Sequence, residues 1–173
     1  WLEDVEHYRD LTLKIVDQTE RRVIAKENVL SSEKIVSLFE PHTDVIVKGF
    51  RDVQYGHKVN LSSESQGLIT YFSIEEGNPS DKELFMPVLE AHKDHFGQLP
   101  ESTVCDGGYA SRENVETGRE LGVKRVVFHK RVGISFQAMG VKIKTFEKLR
   151  NFRAGVEGNI SELKRAFGMG KAK

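Results

Sequence analysis

Ser102-Thr103-Val104-Cys105-Asp106-Gly107-Gly108-Tyr109-Ala110-Ser111, then a charged stretch to Leu121-Gly122, then Val123-Lys124-Arg125-Val126-Val127-Phe128-His129: this passage decides the fold. A short apolar run ends at Asp106-Gly107-Gly108, where Asp accepts local amides and Gly favours a turn. Ser111 is placed to cap a helix over residues 112–121, and Gly122 to stop it. Residues 123–129 are apolar again and read as a second strand. Two strands joined through a helix imply parallel pairing, with helices covering the sheet faces. In such sheets the chemistry gathers at strand ends, and Asp106 closes one.

Upstream, Asn78-Pro79-Ser80-Asp81-Lys82-Glu83 reads as a helix start, with Ser80 and Glu83 as a capping box. Leu84, Phe85, Val88, Leu89 and Phe96 then share one face, and Gly97 and Pro100 end the helix. Residues 53–62 and 68–74 read as strands of an antiparallel hairpin around a Ser/Gly-rich turn at 62–67. Residues 39–44 read as a loop, and 31–37 as a short helix. A first helix over 1–20 places Trp1, Val5, Tyr8, Thr12 and Ile15 on one stripe, read as a core face. Downstream, 130–148 receive no assignment, and a last helix runs from about 151 to 167. The order is helix, hairpin, helix, strand, helix, strand, helix: an α/β fold with a mixed sheet flanked by helices. No capping residue precedes Trp1 and residues 168–173 form no finishing element, so the chain reads as a piece of a longer protein.

A chain of 173 residues is long enough for one domain with a real core. No apolar run approaches membrane-spanning length, no signal peptide opens the chain, and no internal repeat is present. A single cysteine, Cys105, excludes an internal disulfide and suits a reducing compartment. Net charge is zero but unevenly spread: residues 124–173 hold 13 Lys+Arg against 3 Asp+Glu, so that segment is +10 and the remainder −10. A segment that basic suits a phosphate-rich partner.

The last helix carries Arg153-x3-Glu157-x6-Lys164. At about 100° per residue, Arg153 and Lys164 lie roughly 40° and 20° to one side of Glu157, and Ser161 roughly 40° to the other. The apolar stripe Val156, Ile160, Leu163, Phe167 lies roughly 90° away, so this polar face adjoins a buried one. A carboxylate at the rim of a core, flanked by cations, suits metal-assisted phosphoryl chemistry on a polyanion. The bland alternative is a solvated Arg–Glu pair worth a few tenths of a kcal/mol. His92 and His95, three apart on one helix, have no Cys pair or His-Glu-x2-His pattern beside them and are read as solvated or packing residues, not a zinc site. His57 is likewise read as structural.

Taken in order, these motifs resemble the DDE transposases of bacterial insertion sequences. The matching residues are Tyr55-Gly56-His57-Lys58-Val59, Gly67-Leu68-Ile69, Gly77-Asn78-Pro79-Ser80-Asp81, Val104-Cys105-Asp106-Gly107-Gly108-Tyr109, and Arg153, Glu157 and Lys164. The resemblance covers roughly residues 36–167. It implies an RNase H-like (retroviral integrase-like) catalytic core over 36–173, incomplete at its N-terminal side and lacking its first strand. Residues 1–35 form a helical segment preceding or inserted into that core. It further implies Asp106 and Glu157 as catalytic, metal-binding carboxylates for Mg²⁺ or Mn²⁺, and Arg153 and Lys164 as DNA-binding residues. Arg150 stands where the family's signature has tyrosine and is assigned to a DNA phosphate. Lys142, Lys144 and Lys148 extend the basic track. The family's first acid lies on an opening strand expected outside this chain, with Asp44 the nearest internal candidate.

The function implied is metal-dependent cleavage and strand transfer at insertion-sequence ends. Water attack nicks the end, and the freed 3′-hydroxyl then attacks target DNA. The expected partners are transposon-end and target DNA and further copies of the chain in a homo-oligomer, with no membrane, in a bacterial cytoplasm at the nucleoid. The alternatives are an RNase H-like nuclease or resolvase without strand transfer, and a catalytically dead DNA-binding remnant.

Overall fold

The computed structural model describes residues 1–48 and 52–169. They divide into two compact units, Trp1–Val59 with Ile74–Asn78, and Asn60–Ser73 with Pro79–Lys173.

In the first unit, helix α1 (Leu2–Thr19) runs into a wider π-helical turn, Glu20–Ile24, followed by a 3₁₀ turn at Ser31–Glu33. Strands β1 (Asp44–Lys48) and β2 (Asp52–Gly56) pair antiparallel, with Val45 opposite Tyr55. The first helix is where the sequence places it, but its stripe is not a core face. Trp1, Val5 and Tyr8 are 93%, 49% and 40% exposed, and Leu11 is the buried residue. The Gln18 amide brackets the Ile35 backbone, donating to its O (2.7 Å) and accepting from its N (2.9 Å), and Tyr8 meets Phe39 edge-on at 6.0 Å. The expected helix over 31–37 shrinks to the single 3₁₀ turn. β1 has no counterpart in the sequence reading, and Asp44 opens it instead of ending a loop. The strand expected over 53–62 breaks in two after Gly56, whose φ of +143° is a conformation side-chain-bearing residues avoid.

Strands β3 (Lys58–Ser63) and β4 (Ile69–Glu75) form the expected hairpin. The Glu64 N–H donates to Leu68 O, and Ser62 Oγ meets Thr70 Oγ1 at 2.9 Å, so the chain folds straight back on itself. Residues 60–73 of this hairpin belong to the second unit. There helix α2 (Phe85–Phe96), strand β5 (Ser102–Cys105), helix α3 (Arg112–Glu120), strand β6 (Arg125–Phe128) and helix α4 (Ile143–Arg165) follow in order.

β5 and β6 pair in parallel, with Cys105 opposite Phe128, as the strand–helix–strand pattern predicts. Ser111 Oγ accepts from Asn114 N at 3.0 Å, the expected cap of α3. The capping box at Ser80 does not form. Residues 81–84 make turns, and α2 starts at Phe85. Pro87 explains the delay, because it cannot donate to Glu83 O and its ring excludes a helical carbonyl there. α4 begins at Ile143, well before the expected 151, absorbing part of the segment left unassigned.

The expected single mixed sheet is not what the described residues show. They form three two-stranded sheets, β1–β2, β3–β4 and β5–β6. At β6 the cause is visible: Val126 N donates to Met139 O, so a loop segment takes up that edge. The core of the second unit gathers Phe85, Leu89, Val115, Val123, Val126, Val127, Phe128 and Met139, with Phe85 edge-on to Phe128 at 6.0 Å. α4 packs on β5 and β6. That contact brings the closing helix to the strand end bearing Asp106.

Candidate active site

Asp106 follows β5 and caps the 3₁₀ turn Gly107–Tyr109, its Oδ1 accepting from Gly107 N at 2.6 Å. Its other oxygen faces α4. Arg153 Nη2 lies 3.1 Å from Asp106 Oδ2, and Arg153 Nη1 lies 3.0 Å from Glu157 Oε1. One guanidinium thus joins two carboxylates 51 positions apart in the chain. The Arg153 side chain is 18% exposed, against 55% for Asp106 and 65% for Glu157. It lies on the inward stripe of α4, with Phe146, Leu149, Val156, Ile160 and Leu163, all buried or half-buried. A long stem on apolar surface with its charged head at the rim is how arginine satisfies both environments. Phe167, expected on that stripe, is 74% exposed, because α4 ends at Arg165.

A buried polar network fixes the turn that carries Asp106. The Tyr109 hydroxyl donates to Asn60 Oδ1 (2.8 Å), and Asn60 Nδ2 donates to Leu84 O (3.4 Å). Asn114 Nδ2 donates to Tyr109 O (2.9 Å) and Lys82 O (3.0 Å). Asn60 and Asn114 are only 2% and 6% exposed. Gly108 lies close against Asp81, whose carboxylate a Cβ there would displace. The hairpin turn also reaches α4, where Asn159 Nδ2 donates to Gly67 O at 3.2 Å. The sequence reading missed Asn60 and Asn114. A polar residue within a strand or helix carries no mark of burial, and only the meeting of β3, α2 and α3 buries them. We expect Tyr109→Phe to cost about 1–3 kcal/mol in urea unfolding, since the buried Asn60 oxygen loses its donor. A variant as stable as the parent would show that this network does not hold the turn.

Arg150 and Lys164 are exposed on α4. By helical geometry they lie within roughly 20° of Glu157, one on each side, so Arg150, Glu157 and Lys164 form one solvent-facing line. Lys144 and Lys148, assigned by the sequence reading to the same track, lie roughly 140–180° from Glu157 once the helix starts at Ile143. They face away from the acids, and Lys142 sits at the N-cap.

Asp44 lies in the first unit, where its Oδ2 is 3.3 Å from His57 Nδ1, and His57 stacks on His42 at 5.1 Å. Asp106 and Glu157 lie in the second. Among the described residues no group of three His, Cys, Asp or Glu side chains could hold a metal ion. His92 and His95 both pack on Phe96, at 4.6 and 4.7 Å, and burial, helped by His95, lowers the His92 pKa. The Cys105 thiol is pushed up to about 11 chiefly by burial, against a hydrogen bond to Thr103, so it stays protonated and is no nucleophile at neutral pH.

A strand-end carboxylate joined to a helix carboxylate beside a line of cations is an arrangement suited to phosphate chemistry. The sequence model of the family described as "Transposase DDE domain" matches residues 50–173, and the chain belongs to that family. No curated protein and no solved structure matches it. The family is one of DNA phosphoryl-transfer enzymes, which bind DNA and generally use a divalent metal. No helix among the described residues is long and apolar enough to cross a membrane.

Proposed function

We propose that this chain is catalytic-domain material of an insertion-sequence transposase, with an RNase H-like core over residues 36–173, acting at transposon ends by cleavage and strand transfer. The observation that carries the reading is the convergence of Asp106 and Glu157 on one cationic group. Two carboxylate oxygens from different elements, drawn to a single positive centre, are a hard-oxygen donor pair of the kind Mg²⁺ and Mn²⁺ accept, with waters and substrate phosphates completing the shell. Asp106 and Glu157 are the residues that would hold the ion. When bound, such an ion supplies Lewis acidity toward a phosphodiester.

The chain's own residues supply the rest. The Asn60–Tyr109–Asn114 network holds the Asp106 turn, and α4 delivers Glu157 to the same strand end. Arg150 and Lys164 hold DNA backbone on either side of the acids, positioning the strand without reading bases. Among the described residues the grouped carboxylates are Asp106 and Glu157, with no third acid beside them. This favours, for the 173-residue chain on its own, the DNA-binding reading over active cleavage.

The test is duplex binding across a salt series, together with plasmid nicking. The chain should bind duplex DNA weakly, with affinity falling steeply as salt rises, and Arg150→Ala and Lys164→Ala should each flatten the log–log slope by about 1. Nicking by the isolated chain in Mg²⁺ or Mn²⁺ should be slight. Salt-independent binding, or nicking that persists in chelator, would overturn the proposal.

A further inference from the structure

Arg153 is the residue that metal chemistry leaves unexplained. It is the least exposed member of the cluster and grips both carboxylates at ion-pair distance. An exposed Arg–Glu pair four apart, with Arg first, is a weak surface contact. Arg153 differs in having a second carboxylate, Asp106, and in being only 18% exposed on the inward side of its helix. It therefore competes for the same two oxygens that a divalent ion needs.

We infer that Arg153 is an exchangeable counter-ion. It neutralises Asp106 and Glu157 while no divalent ion is bound, and turns to a DNA phosphate when those oxygens are taken. The inference rests on the reading of Asp106 and Glu157 as metal ligands. Arg153 is suited to the exchange because a guanidinium fork fits carboxylate and phosphate equally well. Its partners are half-exposed, so moving the head group outward uncovers no buried charge. The consequence is positive coupling: a cation that frees Arg153 strengthens DNA binding, and DNA that captures Arg153 strengthens cation binding by the same factor.

The experiment measures Mn²⁺ affinity of the full chain from the electron paramagnetic resonance signal of the free ion, and duplex affinity with and without Mn²⁺. Arg153→Gln should bind Mn²⁺ at least about fivefold more tightly, because a positive charge within a few ångströms of both ligands is gone. Mn²⁺ should raise DNA affinity of the parent chain more than that of Arg153→Gln. Arg153→Lys, which keeps the charge but loses the fork, should fall between the two. Equal or weaker Mn²⁺ binding by Arg153→Gln overturns the exchange, and so does the absence of measurable Mn²⁺ binding in both proteins. If Asp106→Asn and Glu157→Gln also leave Mn²⁺ affinity unchanged, the metal-ligand reading itself fails.

Discussion

Glu157→Gln is expected to reduce end cleavage by about a hundredfold or more, in any form of the protein that cleaves DNA, while DNA binding measured in chelator is no weaker than the parent's. Loss of a group that merely orients a metal ligand commonly costs 10–100-fold, and loss of a ligand itself should cost no less. The amide keeps the shape of the side chain but removes the charge that a divalent ion and Arg153 both require. Glu157 is 65% exposed, so the substitution leaves no cavity and no buried orphan, and the fold should be untouched. Arg150 and Lys164 face solvent on the same line of α4 and, on the proposed reading, would still hold the backbone. Cleavage assays on end-containing duplexes, paired with binding isotherms, separate the two effects. Unchanged cleavage would remove Glu157 from the mechanism, whereas loss of binding in chelator alongside loss of cleavage would make it a structural residue.

Phe128→Ala is expected to destabilise the second unit by about 3–5 kcal/mol, a large share of the roughly 5–15 kcal/mol typical of a domain. Phe128 is fully buried, sits edge-on to Phe85 at 6.0 Å, and ends β6 opposite Cys105. Truncating it leaves a cavity beneath the strand end that carries Asp106. The urea midpoint of Phe128→Ala, compared with that of Phe96→Ala, whose ring is 45% exposed, checks the claim. The second variant should lose much less. Comparable losses would mean that Phe128 is not the centre of the core.

The elements fixed by local patterning alone were legible in the chain. The β5–α3–β6 passage announces itself by an apolar run, a Ser cap and an apolar run, and each signal acts within a few residues. Gly97 ends α2 where expected for the same reason. Readings that needed knowledge of a neighbour went astray. α1 has a periodic apolar stripe, yet Trp1 and Val5 stay exposed because periodicity does not say what will cover a face. α2 begins late because Pro87 acts on a carbonyl four residues back, against a cap that looks sound by itself. β1 is a short Asp-bounded apolar run, Asp44-Val45-Ile46-Val47-Lys48, whose pairing with β2 is what makes it a strand.

For the site, the sequence alone determined which acids and cations could matter, since Asp106, Arg153, Glu157 and Lys164 follow from strand-end and helical-face arguments and from the resemblance. It could not determine that Arg153 lies on the inward stripe and bridges both acids, nor that Lys144 and Lys148 face away. It gave no sign of Asn60 and Asn114 beneath the Asp106 turn. Those facts depend on where α4 starts and on which helix meets which strand end. Spacing along a chain fixes the angle of a side chain about its own helix, but only packing between elements decides what that side chain meets.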